Sequence, residues 1–520
     1  MVRLRLCLLA LLALAGGTAA RPAPAPAVAA PPAPAAVVTR VPGVSFNFNL
    51  GFGDRSTRLA ALRRMSAIGV GVDRIDANWI DIEKSRGVYD WTSLDYRVAE
   101  ANEAGLQPRV ILAYGNPLYS ARGATAASLL GRDFGGLPPF GIGSPAYYPP
   151  DDNPADLAAF ARWAAALAAR YRDGTHGTAS LFEVWNEENG GYRFWEPRED
   201  AAWYGDLLRV THDAVKRAAP GASVAFGGTF YPSIDARAAG MMGIPQPVAV
   251  TLALPSQGTL AFVSDALSAH PDLGSHFDAM AYHPYHFPYY APEVNIPLEG
   301  TTEDSMVQVR GLLDRHGLTA KPIWITEMGW PNNTCAYGVS PLKSASYLVR
   351  TYSLAWAHGI DQVDWYTYAD NAAGPQACVN QEAAFGVIDA AGRPKPAYGA
   401  WAVLNRLVAL LPFSADVSAR LGLPSDGRAL RFASAERAVT VVWLAPESMS
   451  SDTGPAPPAN HRVQVATPPG TTAIYDMAGT PLAVGPTFEA SPYPVYLLGP
   501  AGAAPGTPSP RPDNLPNTSR

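Results

Sequence analysis

The chain has 520 residues, 48% hydrophobic and 16% charged, with a formal net charge of −6. That is long enough for a large catalytic domain plus a smaller one, with apolar material for a sizeable core. The acidic balance and the lack of a Lys/Arg run argue against nucleic acid, the more so since losing Arg3 and Arg5 with a leader takes −6 to −8.

Arg3 and Arg5 precede an apolar run, Leu6 to Ala15, followed by the small residues Gly16 to Ala20. The run is too short to span a bilayer, so residues 1–20 read as a cleaved secretory signal, with an uncleaved anchor as the alternative. The expected location is therefore secreted or periplasmic, with no membrane association after cleavage. Cys7 has no lipobox around it, which argues against a lipoprotein. Cleavage leaves Cys335 and Cys378, a pair that reads as a disulfide in an oxidising compartment, against two unrelated free thiols.

Residues 21–40, rich in Pro and Ala, and 501–520 have too little apolar character to bury and read as disordered. Between them, strand and helix patterns alternate. Val44–Phe48 is a strand and Arg58–Ile68 a helix; Val72–Ala77 and Leu94–Ala104 repeat the pair. Arg109–Tyr114 is the third strand, followed by a long Gly/Pro-rich loop, Asn116–Pro150, and the helix Ala155–Arg172. Strand Leu181–Trp185 leads to helix Ala201–Ala218, and strand Ser223–Phe226 to helix Leu260–Leu267. Ala279–Tyr282, Ile323–Thr326 and Val363–Tyr366 are strands six to eight, with helices Asp304–Arg315, Ser344–Ala357 and Tyr398–Leu411. Eight strand–helix units over residues 41–411 predict a (β/α)8 TIM barrel. An open doubly wound sheet is the alternative, but no glycine-rich phosphate turn follows the first strand.

From residue 412 to 500 the helical period is gone. Ala429–Phe432, Ala438–Leu444, Val463–Ala466, Thr472–Asp476 and Val495–Leu498 are short β-like runs between Pro and Gly, predicting a small β-sandwich.

Two glutamates end apolar strands: Glu187 in Phe182-Glu183-Val184-Trp185-Asn186-Glu187 and Glu327 in Ile323-Trp324-Ile325-Thr326-Glu327. Desolvating a carboxylate is costly, so two at strand ends suggest a pair held for chemistry, and glycoside hydrolysis is the chemistry that most often needs one. Barrel enzymes place catalytic groups at the C-terminal ends of strands, and strands four and seven face each other across the mouth.

Trp-Asn-Glu on strand four with Ile-Thr-Glu on strand seven resembles the clan A glycoside hydrolases, retaining enzymes on this barrel. The resemblance implies that Glu187 is the acid/base, Glu327 the nucleophile, and Asn186 the ligand of the sugar 2-hydroxyl. His283-Pro284-Tyr285 is similar to the clan's His-x-Tyr, in which the tyrosine holds the nucleophile. Arg74 resembles the arginine that also contacts it, and Trp365 the tryptophan flooring the sugar subsite. The segment from Arg74 through Trp79, with Gly87-Val88-Tyr89-Asp90-Trp91, is similar to families 39 and 5. The resemblance spans about residues 44–405, and the C-terminal sandwich fits family 39 best.

Physical roles run parallel. An ionised Glu327 needs donors and a cation, which Arg74 and Tyr285 supply; Glu187 must hold its proton, which burial and a nearby Glu327 charge favour. Glu188 is the competing candidate for the acid, and Glu183 reads as a barrel-layer residue or a partner of a basic group. His283 alone would read equally as a core histidine, and His286 as a subsite or a surface residue. Trp79, Tyr114, Trp195, Trp330 and Tyr368 cluster near the mouth, either stacking on sugar rings or packing under loops. Asp370 is a candidate hydroxyl ligand. No Cys/His cluster with metal spacing occurs, so neither a catalytic metal nor another cofactor is expected.

The sequence thus predicts a secreted, monomeric, retaining β-glycoside hydrolase, endo-acting on an extracellular polysaccharide. The alternatives are an exo-acting β-glycosidase, a transglycosylase, and a non-catalytic carbohydrate-binding barrel.

Overall fold

A computed structural model describes residues 42–45, 54–130, 144–190, 194–231, 257–285, 291–293, 301–333, 338–360, 362–371, 381–445 and 461–502. The leader and linker regions, most of the 501–520 tail, and both Cys335 and Cys378 lie outside these residues, as does His286.

Short apolar runs rich in Val, Ile and Ala bury both faces most readily in a parallel sheet covered by helices. Here eight such strands close a parallel ring in sequence order: β1 (Gly43–Ser45), β2 (Val72–Asn78), β3 (Gln107–Ala113), β4 (Leu181–Asn186), β5 (Ser223–Phe230), β6 (Ala279–His283), β7 (Ile323–Met328) and β8 (Gln362–Tyr366). Closure runs through β1, where Val44 pairs with Asp73 on one side and Trp365 on the other. The described helices are α1 (Arg55–Ser66), α2 (Trp79–Ile82), α3 (Thr92–Glu103), α4 (Ala121–Leu130), α5 (Pro154–Arg170), α6 (Ala201–Ala218), α7 (Thr259–Ala269), α8 (Thr302–Arg315), α9 (Pro341–Ala357) and α10 (Pro396–Leu407). Their starts follow capping chemistry: Asn153 caps α5 ahead of Pro154, Asp200 caps α6, and Thr301 with Asp304 forms a capping box on α8. No helix among the described residues is long and apolar enough to cross a membrane.

The C-terminal strands form an antiparallel six-stranded sheet in the order β14-β13-β16-β11-β10-β9 and a two-stranded ribbon, β12-β15. These are β9 (Phe413–Asp416), β10 (Gly427–Ala433), β11 (Arg437–Leu444), β12 (Val463–Ala466), β13 (Ala473–Asp476), β14 (Pro481–Leu482), β15 (Thr487–Ala490) and β16 (Val495–Pro500). Val442, Leu444 and Leu497 from the sheet meet Val465 and Phe488 from the ribbon in one apolar layer. The sheet's other face, through Phe432, Val441 and Trp443, joins the barrel's own core.

The fold is the expected barrel with a C-terminal β-sandwich, and the differences are local. β5 runs on to Phe230 instead of stopping at Phe226, because Gly227-Gly228 continues the strand where close neighbours leave no room for a Cβ. Within the Asn116–Pro150 loop, the described residues include α4 and a 3-10 turn at Pro145–Tyr147. α10 ends at Leu407.

Candidate active site

Alternation on β2 turns Val72, Arg74 and Asp76 toward the barrel interior. The interior floor is apolar: Val72, Leu181, Ala225, Ala279, Ala281 and Trp324. Above it lies a charged layer. Arg74, with no exposed surface, donates from Nε and Nη2 to the two oxygens of Glu183 at 3.0 Å each, from Nη2 to Asn186 Oδ1 at 3.0 Å, and from Nη1 to Glu327 Oε1 at 2.5 Å. Arg109 pairs with Asp364, approaches Glu183 Oε1 at 3.8 Å and lies 4.6 Å above the Trp324 ring. Burial alone would discharge these groups. It opposes the Arg74 charge, but Glu183 and Glu327 more than offset it, so Arg74 titrates well above the usual range. Burial likewise raises Glu183, and Arg74 outweighs it, leaving that carboxyl below its ordinary value.

On this layer stand the two strand-end glutamates. Glu327 accepts from Arg74 and, through Oε2, from the Tyr285 hydroxyl at 3.2 Å. Glu187, 7% exposed, has its Oε1 3.0 Å from His283 Nδ1, while His283 Nε2 is 3.1 Å from Thr326 Oγ1. One carboxylate oxygen of Glu187, one of Glu327 and a ring nitrogen of His283 all lie within 4.8 Å of one another. That spacing would also suit a metal ion, but a cation there would compete with Arg74 for Glu327. Burial pushes His283 down to about 4, so the imidazole is neutral across the mildly acidic and neutral range.

The backbone holding the pair departs from regular strand geometry. Trp185 and Glu187, on either side of Asn186, have positive φ of 75° and 49°. Such conformations cost of order 1–3 kcal/mol in non-glycine residues and cluster at ligand and catalytic sites. The β7–β8 register shifts between Ile325 and Met328, around Glu327, and the β5–β6 register shifts between Phe226 and Thr229. Irregularities of this kind at a barrel rim re-aim side chains.

Arg74, Asn186, Glu187, His283, Tyr285 and Glu327 are thus brought together. Trp365 is fully buried on β8, its ring 5.7 Å from that of Trp330, which also packs against Tyr347 of α9. Trp79 is enclosed by Tyr119, Phe160 and Trp163, with its indole N–H on Glu83. Tyr114 packs among Tyr147, Trp185 and Phe194. Asp370 is held by Lys395 at 2.5 Å and by the Gly386 N–H at 2.9 Å. Glu188 points at β5: a Cβ on Gly227 would lie 2.3 Å from its Oε2, and burial pushes its carboxyl well above the usual carboxylate range.

Sequence reasoning did not single out Asp76, Thr326 or the Arg109–Asp364 pair. Asp76 lies on the same face of β2 as Arg74, and its carboxyl is raised to about 6 by burial, with Arg74 lowering it and Glu327 raising it. Alternation from Arg74 would have flagged it.

No protein-family model matches the chain, and no curated protein matches it. Its fold does match solved structures. Over 88% of this chain and 80% of the other, it is similar to a family 39 glycoside hydrolase from the gut symbiont Bacteroides cellulosilyticus, at 20% identity and a TM-score of 0.61. A monomeric β-xylosidase from Caulobacter crescentus matches at 16% identity and a TM-score of 0.57, covering 90% of this chain and 97% of that one. A GH39 enzyme from Xanthomonas axonopodis pv. citri matches at 18% and 0.54, covering 90% and 94%. This chain therefore shares its fold with these glycoside hydrolase structures over most of its length.

Proposed function

We propose that this protein is a retaining β-glycosidase. The observation that carries the reading is that one oxygen of Glu187 and one of Glu327 lie within 4.8 Å of each other, a close pairing that suits the carboxylates of double displacement, about 5–5.5 Å apart, better than a pair spread to admit an inverting water. Glu327 attacks the anomeric carbon as Glu187 protonates the departing glycosidic oxygen. Water then attacks the glycosyl–Glu327 ester while Glu187 takes back a proton. Arg74 and Tyr285 each donate to Glu327 and hold its carboxylate in place, and the Arg74 bond to Asn186 fixes the amide's orientation for a sugar hydroxyl.

The substrate class is a β-linked oligo- or polysaccharide. Endo-cleavage, expected from the aromatic residues, competes with an exo reading that a specific observation favours: Trp79, Tyr114 and Trp330 are enclosed by protein, so they do not line an open groove. The charged, apolar and small residues of the N-terminal 20 support export of the enzyme before it acts.

Glu327→Ala should abolish turnover while the protein stays folded. Glu187→Ala should fall hardest on substrates with poor leaving groups and be rescued by azide as a β-glycosyl azide. An α-azide, or undiminished activity of Glu327→Ala, refutes the assignment. Product sizing on a polysaccharide panel separates endo from exo action, and acceptor-linked products would identify a transglycosylase. A chain that binds sugar without releasing reducing ends would be a binding protein.

A further inference from the structure

A second cluster of ligating side chains lies at the opposite end of the barrel. His212 and Asp213 are in the C-terminal half of α6, which leads down to the start of β5; His276 follows the 3-10 turn Leu273–Ser275 and precedes β6. Both elements meet at the N-terminal ends of the strands, away from Glu187 and Glu327. Asp213 Oδ1 is 3.2 Å from His212 Nδ1 and 3.0 Å from His276 Nδ1. One ligating atom from each of the three residues falls within 4.8 Å of the others. The two rings stand nearly perpendicular, at 86°, with centroids 5.6 Å apart, so they approach the shared oxygen from different directions.

These distances are close to the edges of a coordination tetrahedron: bonds of about 2.0–2.1 Å to nitrogen and oxygen place neighbouring ligand atoms about 3.3 Å apart. An outer shell is present too. His276 Nε2 faces Asp272 Oδ2 at 3.4 Å, and that oxygen accepts from Arg209 at 2.9 Å. A carboxylate behind the second nitrogen is the usual way a ligating histidine is oriented. We propose that His212, Asp213 and His276 form a three-ligand site for a divalent transition ion of the zinc type, with a fourth position open to water. The ion would be structural, clamping α6 to the segment that enters β6. Imidazole nitrogens with one carboxylate select zinc-like ions over magnesium or calcium, which prefer all-oxygen sites.

The test uses the full chain, stripped with chelator and titrated calorimetrically with zinc chloride. Because Glu187, His283 and Glu327 also have ligand spacing, the titration is repeated in Glu327→Gln. The proposal expects one zinc per chain in both proteins, weakened at least ~10-fold by His276→Gln and by Asp213→Asn. At zinc ~100-fold above its dissociation constant, the unfolding temperature should rise about 3 °C, and the rise should be lost in both variants. Both substituted side chains are partly exposed, so neither change empties the core. Zinc binding that survives His276→Gln, that disappears in Glu327→Gln, or that is absent at millimolar zinc overturns the proposal.

Discussion

His283 stands between Glu187 and Thr326, with Nδ1 3.0 Å from the carboxylate and Nε2 3.1 Å from the hydroxyl. A neutral imidazole carries one proton. When Glu187 is protonated it donates to Nδ1, and Nε2–H donates to Thr326; when Glu187 is ionised, Nδ1–H donates to it and the Thr326 hydroxyl turns to donate to Nε2. The threonine accommodates both tautomers, and so both protonation states of an acid that must become a base. Thr326→Val leaves Nε2 without a partner, and a buried N–H without an acceptor is the costlier state. That favours Nδ1–H and ionised Glu187. The alkaline limb of kcat/KM should move down by ~0.5–1 pH unit, with turnover falling about tenfold. An unmoved limb would separate His283 from the protonation of Glu187.

Arg74 holds four acceptors on three residues, so its two substitutions should differ. Arg74→Met leaves Glu183 buried and removes the cation beside Glu327, for a stability loss of about 3–5 kcal/mol and at least ~10³-fold in kcat/KM. Arg74→Lys keeps the charge but not the fork that reaches Glu183, Asn186 and Glu327 together, so it should recover stability more than activity. Denaturant titration beside steady-state kinetics checks both; equal recovery of the two properties would mean that orientation is unimportant.

The order of strands and the two glutamates were legible because the signals are local: an apolar run, a terminal Glu, an Asn beside it. Arg74, His283 and Tyr285 needed only a familiar spacing. Thr326 was not legible, because its meaning depends on which face of a strand is inward and on what the neighbouring strand brings opposite; Asp76 was legible, two residues on from Arg74, but only once that face is known to be inward. The sequence ends the fifth strand at Phe226, yet an alanine at Gly228 would place its Cβ 2.2 Å from His283 Nε2, so the glycine marks the close approach of β5 to the site. The rings of Trp79, Tyr114 and Trp330 could not be assigned between cleft and core from sequence, since loops from distant parts of the chain decide it. Of the strands not read, β14 has two residues, and β9 and β15, though as long as β12, each carry one large apolar residue, Phe413 and Phe488, too few to show alternation.

Asp73 predicts a pH dependence of stability. It faces the helices from β2, both its oxygens are buried without a hydrogen-bond partner, and burial raises its carboxyl to about 7, with Arg97 partly opposing the rise and Asp364 adding to it. The folded state then holds a proton that the unfolded chain, at 3.8, has released. Stability is full below that unfolded value and declines as pH rises toward 7. Asp73→Asn does not titrate. Relative to wild type it should gain at pH 8 by up to about 4 kcal/mol compared with pH 4, visible as a rise of a few degrees in relative unfolding temperature. The same gap at both pH values would show that Asp73 is not the titrating group.

Glu293 joins the barrel to the C-terminal sheet. Its Oε1 accepts from Arg350 Nε of α9 at 3.0 Å and from the Trp443 indole of β11 at 2.8 Å, and its Oε2 pairs with a second nitrogen of Arg350. Arg350 and Trp443 are both fully buried, so the carboxylate is what compensates a charge that water does not reach. Glu293→Gln keeps the side chain's shape but leaves that charge uncompensated, and should cost about 3–5 kcal/mol of unfolding free energy. Adding Arg350→Met removes the charge itself and should restore most of the loss, because an apolar side chain of similar length suits the surrounding packing. Urea unfolding of the single and double variants distinguishes the cases. If the double variant is no more stable than Glu293→Gln, the loss lies in the Trp443 bond and the junction is held by hydrogen bonding, not by charge compensation.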